Sequence, residues 1–272
     1  MSGARPHIIT ILEGYMNILL IGDVVGNSGV KKVKEGIEEI KKTKQIDFII
    51  ANGENSGDGM GITKNNFSDL KSYGVNVITM GNHTWGKKDI FSILKEEELI
   101  IPANFSRNVP GKGYNIYECS GKKIAVINLI GRVDMNILSD NPFVVAEKIL
   151  EKIKDKADII IVDFHAEATA EKIAMGYFLD GKVSAIFGTH THVQTADEKI
   201  MENGTAYITD IGMTGPKKSV IGMDVDASIK RFYTTLPERY KVSQDSEKIM
   251  NACILSINDK TCRVEKIERI NV

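Results

Sequence analysis

Residues 16–23 read MNILLIGD: an apolar run from Met16 to Gly22, interrupted only by Asn17 near its start, that ends in Gly22-Asp23. A run this short, apolar at successive positions from Ile18 to Ile21 and closed by a turn residue, is a strand covered on both faces that feeds a loop. Working outward, the same unit recurs. The segment 28–44 places Val30, Val33, Ile37 and Ile40 on one face and lysines and glutamates opposite, which predicts a helix. Asp47 to Ala51 is a second buried strand, ending in Asn52-Gly53-Glu54-Asn55. A helix over 63–73 with Thr63 as N-cap follows, then a strand over 75–80 ending in Gly81-Asn82-His83.

Further along, residues 87–95 read as a helix, and 114–119 and 123–129 as a hairpin about Ser120-Gly121. Residues 142–156 read as a helix with Asn141 as N-cap and Pro142 at its first position. A strand over 158–162 ends in Asp163-Phe164-His165, a helix covers 167–179, and a strand over 183–187 ends in Gly188-Thr189-His190-Thr191-His192. The rest reads as strands over 199–201, 205–209, 252–257 and 263–270, with a Gly-rich loop over 212–222. Strand–helix alternation requires right-handed crossovers and a largely parallel sheet, so the fold class is α/β. The β-rich last third must pair antiparallel or form a second sheet. No repeat, low-complexity tract or linker divides the chain. Residues 1–15 are expected to be an N-terminal extension, and 16–272 a single domain.

Composition narrows the function. The 272 residues carry 35 basic against 36 acidic side chains, so no global field draws in long nucleic acid. Three cysteines, Cys119, Cys253 and Cys262, are too few and too scattered for a disulfide framework, which points to a reducing compartment, the cytoplasm. No apolar run approaches the ~20 residues that span a bilayer.

Five polar clusters close five predicted strands, and ligands bind beyond the carboxyl ends of strands in open α/β sheets. They hold Asp23, Glu54, Asn55, Asn82, His83, Asp163, His165, His190 and His192, and so four of the chain's five histidines. Taken singly, each has an ordinary explanation. Asp23 could cap a helix, Glu54 could be solvated, Asn82 could serve a turn, and a lone histidine is commonly structural. Together they offer oxygen and nitrogen donors without thiolate, which suits iron, manganese or zinc. His190 and His192, two apart, need a turn to converge, because a regular strand would point them to opposite faces.

These motifs resemble the metallophosphoesterases, and within them the bacterial YmdB-like phosphodiesterases. The resemblance rests on IGDVVG (21–26), ANGENS (51–56), GNHTW (81–85), IPAN (101–104), DFHAEAT (163–169), GTHTHVQTAD (188–197) and TDIGMTGP (209–216). Asp23-Val24-Val25 lacks the histidine of the general Asp-x-His, and Gly53-Glu54-Asn55 replaces the usual Gly-Asp. Both departures are those of the YmdB-like subfamily. Gly86 departs from it, standing where an acidic residue is expected.

The resemblance implies a four-layer sandwich of two mixed β-sheets flanked by helices, holding two divalent or trivalent metal ions, iron first, with manganese or zinc as alternatives. It makes Asp23, Glu54, Asn55 and His192 ligands of one ion, and Glu54, Asn82, His165 and His190 ligands of the other, with Glu54 bridging. It implies a phosphodiesterase acting on 2′,3′-cyclic and also 3′,5′-cyclic nucleotides. It further implies attack on phosphorus by a hydroxide that the two ions would hold between them, with His83 as general acid, a role that typically contributes ~10²–10⁴-fold. The alternatives are a nuclease or nucleotidase of the same chemistry, or a regulatory protein that senses metal or nucleotide. Expected partners are a small phosphodiester and a second copy of the chain. RNA is held open and a membrane is not expected. Trp85 is expected to pack under its loop, and Gly57 to Gly61 to form a turn.

Overall fold

The computed structural model describes residues 14–239 and 241–272. Its strands are β1 (Tyr15–Ile21), β2 (Asp23–Val24), β3 (Phe48–Asn52), β4 (Val77–Thr79), β5 (Leu99–Ile100), β6 (Tyr114–Cys119), β7 (Lys122–Ile130), β8 (Ile159–His165), β9 (Ala185–Thr189), β10 (Lys199–Ile200), β11 (Ala206–Ile208), β12 (Met213–Pro216), β13 (Lys248–Asn258) and β14 (Val264–Asn271). Its helices are α1 (Gly26–Ile40), α2 (Lys64–Ser72), α3 (Ile90–Ile93), α4 (Pro142–Ile153), α5 (Thr169–Leu179) and α6 (Val225–Thr234). Residues 1–13 of the expected extension lie outside the described residues. The first strand opens at Tyr15, one residue before the expected start, and pairs there with Asn258.

The strands form two mixed sheets. The first has the order β2-β12-β13-β1-β3-β4-β5, with β14 on β13; the second has the order β10-β11-β9-β8-β7-β6. In the first sheet β1, β3, β4 and β5 run parallel, and β13 is antiparallel to β1. In the second, β7, β8, β9 and β11 run parallel between antiparallel edge strands β6 and β10.

Period-2 alternation explains the layers. Along β1, Ile18 and Leu20 face the second sheet, while Leu19 and Ile21 face α1 and α2. Along β8, Ile159 and Ile161 face the first sheet, while Ile160, Val162 and Phe164 pack with Ile149 and Ile153 of α4 and Met175 of α5. The layers are therefore helix, sheet, sheet, helix. Both faces of each central strand are covered, which is why these segments read as unbroken apolar runs.

Local signals hold where their chemistry is strong. Thr63 caps α2, accepting from the Asn66 N–H, and Asn141 caps α4. Ser120 and Gly121 both take positive φ in the β6–β7 hairpin. Three expectations are corrected. Only Ile90–Ile93 of the segment 87–95 is α-helical. The Gly-rich segment 212–222 is not loop throughout, because Met213–Pro216 pairs with both β13 and β2. Helix α6 was unforeseen, because it buries only Ser228 and leaves Ile229, Phe232 and Tyr233 exposed, so no core-facing stripe announces it. No helix among the described residues is long and apolar enough to cross a membrane.

Candidate metal centre

The inner faces of the central strands turn polar as they reach their carboxyl ends. On β3, Phe48 and Ile50 give way to Asn52; on β4, Val77 gives way to Thr79. On β8, Ile159 and Ile161 give way to Asp163 and His165; on β9, Ala185 and Phe187 give way to Thr189. All five polar residues are fully buried. The candidate site lies beyond this polar layer, between the two sheets.

His165 is its centre. The His165 Nε2 atom lies 3.0 Å from Glu54 Oε1, 2.9 Å from Asn82 Oδ1 and 3.1 Å from His190 Nδ1. Glu54, His165 and His190 offer ligand atoms that all lie within 4.8 Å of one another. Glu54 is buried, and its other oxygen accepts from the His83 backbone N–H at 2.9 Å. The strand end that carries Asn82 and His83 comes this close because residue 81 is glycine. A Cβ there would meet His165 Nε2 at 2.3 Å and Glu54 Oε2 at 2.5 Å.

Asp23, fully buried, enters from β2. Its Oδ2 accepts from the His190 N–H at 3.1 Å. Its Oδ1 lies 3.9 Å from both His165 Nδ1 and His192 Nε2, and no hydrogen bond reaches it from the described residues. The Asn55 Oδ1 atom is likewise buried without a donor. Asp23 does not cap α1, whose N-cap position is Val25. His190 and His192 both take positive φ, +103° and +65°. That left-handed backbone is the turn that lets two histidines two residues apart serve one site. His192 Nδ1 is held at 2.8 Å from the Ile221 carbonyl, leaving Nε2 toward Asp23.

The electrostatics are those of charges removed from water. Burial raises Asp23 to about 6 against the pull of His192 and His165. Burial would raise Glu54 as well, but His165 and the His83 N–H overcome it and hold the carboxyl well below its ordinary range. Burial would lower His165, but Glu54, Asp23 and Asp163 raise it to about 9. His190, buried beside the cationic His165, falls to about 3 and is a neutral imidazole.

Two carboxylates, two amide oxygens and three imidazoles therefore surround one region, with two buried oxygens that only a cation or a donor can satisfy. Oxygen and nitrogen donors without thiolate fit divalent ions of the iron, manganese and zinc group. Asp23, Glu54, Asn82, His165, His190 and His192 are tied to one another by these distances. Asn55 follows Glu54, and its amide nitrogen donates to the Gly59 carbonyl. His83 sits at the edge, half-buried, with Nε2 3.3 Å from Asn82 Nδ2. Trp85 stacks on Phe91 with centroids 5.8 Å apart and packs near Phe105. Gly57 to Gly61 close a turn through the Gly57 N–H and the Gly61 carbonyl.

Sequence reasoning missed the supports beneath these candidate ligands. Lys172 of α5 and Asp210, each 1% exposed, form a buried ion pair at 2.7 Å. Asp210 also accepts from the Thr191 and Gly212 N–H groups, which braces the loop between His190 and His192. Glu167 lies 3.2 Å from His190 Nε2 and turns Nδ1 toward His165. Asn52, Asp163 and Thr189 stood in the quoted clusters, and the signal that marks them, with Thr79, as a buried layer is strand parity, since each lies two residues beyond an inward apolar residue.

Two mixed sheets packed face to face between helices, with this candidate centre at their strand ends, make the chain a protein of the metallophosphoesterase fold. The chain belongs to the family described as YmdB-like protein, whose profile it matches over residues 19–270. It is 46% identical over 256 residues to a 2′,3′-cyclic-nucleotide 2′-phosphodiesterase of Bacillus subtilis, covering 94% of this chain and 96% of that relative. A phosphatase from Mycoplasma pneumoniae has the same fold with a TM-score of 0.90 at 37% identity, over 96% of this chain and 94% of that one. A hypothetical protein from Thermus thermophilus superposes with a TM-score of 0.88 at 35% identity, over 94% and 99% of the two chains. The chain is a phosphoric ester hydrolase.

Proposed function

We propose that the chain is a dinuclear metal-dependent phosphodiesterase that opens cyclic nucleotides, with the 2′,3′-cyclic forms as first substrates and 3′,5′-cyclic forms as further candidates. The observation that carries this reading is the convergence of Glu54, Asn82 and His190 on His165 Nε2, beside two buried oxygens without donors, Asp23 Oδ1 and Asn55 Oδ1. The 46% identity to the Bacillus subtilis 2′,3′-cyclic-nucleotide 2′-phosphodiesterase supports the substrate class.

Asp23, Glu54, Asn55 and His192 would hold one ion, and Glu54, Asn82, His165 and His190 the other. Iron is the first choice, with manganese or zinc as alternatives. When bound, the ions supply a strongly acidified water as nucleophile and positive charge against the phosphate. The chain's own residues do the rest. With two ions bound, the two carboxylates would set two negative charges against at least four positive ones, and the centre would attract an anion. His83 is held by its backbone N–H on Glu54, which leaves its imidazole at the edge of the centre, where it protonates the departing ribose oxygen. The free cysteines Cys119, Cys253 and Cys262 fit a reducing compartment, and the proposed location is the cytoplasm.

The test compares turnover of 2′,3′-cyclic AMP, 3′,5′-cyclic AMP, AMP and short RNA at equal metal loading. Preference for a cyclic nucleotide supports the reading, and preference for AMP or RNA overturns the substrate class.

A further inference from the structure

Asp163 is fully buried beneath the candidate centre, where loss of water pushes its pKa up, and two hydroxyls and an amide donate to its carboxyl group. The Thr189 hydroxyl donates to Oδ1 at 2.7 Å. The Thr79 hydroxyl and, at 3.3 Å, the Asn52 amide donate to Oδ2. Asn52 and Thr79 belong to the first sheet, where they pair in register, and Asp163 and Thr189 belong to the second. His165 and Thr189 are also register partners on β8 and β9, so their side chains lie side by side. The Thr189 Oγ1 atom lies 2.9 Å from His165 Nδ1.

A hydroxyl has one proton to give. With an ion held on His165 Nε2, the neutral ring carries its proton on Nδ1 and the Thr189 oxygen accepts it, which leaves the Thr189 proton for Asp163 Oδ1. The Asn52 amide nitrogen, 3.4 Å from His165 Nδ1, donates to Asp163 Oδ2 at the shorter 3.3 Å and also points at the Thr189 oxygen. We propose that Asp163 and Thr189 are positioning residues that hold the His165 ring by its Nδ1 edge, so that Nε2 faces Glu54, Asn82 and His190, ready to bind an ion. The inference rests on the metal reading of the site and deepens it. Groups that orient a metal-binding imidazole this way typically carry ~10–100-fold in metal affinity. The same carboxyl group also bonds to residues of both sheets directly under the site, so the hold on the His165 ring is anchored in each sheet.

Zinc affinity measured by chelator competition, with ¹⁵N spectra of the histidine-labelled, zinc-loaded protein, tests this. Thr189→Val removes the hydroxyl and keeps the shape, and should weaken zinc binding ~10–100-fold; Thr189→Ser restores the hydroxyl and should bind as the parent does. The parent spectrum should show the His165 proton on Nδ1. Zinc binding by a folded Thr189→Val protein at parental affinity would overturn the proposal. So would a parent spectrum with no proton on Nδ1, a measurement that stands whether or not Thr189→Val folds. If the parent itself binds no zinc, nor iron or manganese, the metal reading fails first and takes this inference with it.

Discussion

His165 Nε2 and Glu54 Oε1 lie 3.0 Å apart although they come from different sheets, His165 from the end of β8 and Glu54 from the turn after β3. The site exists only where the two sheets are packed together. Ions held there would fasten one sheet to the other. At an ion concentration about 100 times Kd, binding adds ~2.7 kcal/mol. Stripping the protein with a chelator should therefore lower its unfolding midpoint by roughly 5–10 °C, and re-addition of metal should restore it. A calorimetric scan with and without metal checks this.

Asp23 is a liability in the metal-free chain. Its folded pKa, about 6, lies above the ordinary 3.8, so ionisation penalises the folded state as pH rises through that window and fully above it. Asp23→Asn keeps the shape and an oxygen for the His190 N–H. The metal-free variant should be more stable than the parent at pH 7–8, by up to ~3 kcal/mol, with the gap closing toward pH 4. The same variant should lose metal and activity. Denaturant titrations across pH, with metal content, separate the two effects.

His83 touches Glu54 through its backbone N–H and not through its ring. His83→Ala should keep both ions and lose ~10²–10⁴-fold in kcat, as expected for a general acid. Metal content and kcat measured on one preparation decide this. Loss of metal alongside activity would make His83 part of the ligand shell.

Lys172 and Asp210 form a pair buried to 1% exposure, and Asp210 also accepts from the Thr191 N–H. Lys172→Met strands a buried carboxylate, at a cost of ~3–5 kcal/mol. It should also weaken metal binding, because the loop carrying His190 and His192 loses its brace. Thermal melts and metal titration of the variant report both.

Much of this was legible beforehand. Strand runs such as MNILLIGD declared themselves because both faces are covered, and the polar clusters after β1, β3, β4, β8 and β9 marked the ligand edge. The assignment of strands to sheets was hidden. Nothing in IIIVDFH shows that β8 packs against β1 rather than beside it, since both arrangements bury the strand. Lys172 was hidden too, because its partner lies 38 residues away and a helical lysine ordinarily faces water. Helix α6 carries its apolar side chains outward, so a rule that assumes a core-facing stripe passes over it. Thr189 and Asp163 were in view, but their roles depend on a register between β8 and β9 that only the folded chain displays.

The central claim is a two-ion centre bridged by Glu54. Anomalous scattering from crystals of the metal-loaded protein tests it most directly. The account predicts two peaks, one beside Asp23, Asn55 and His192 and one beside Asn82, His165 and His190, with Glu54 between them. A single peak, or peaks away from Glu54, would contradict it.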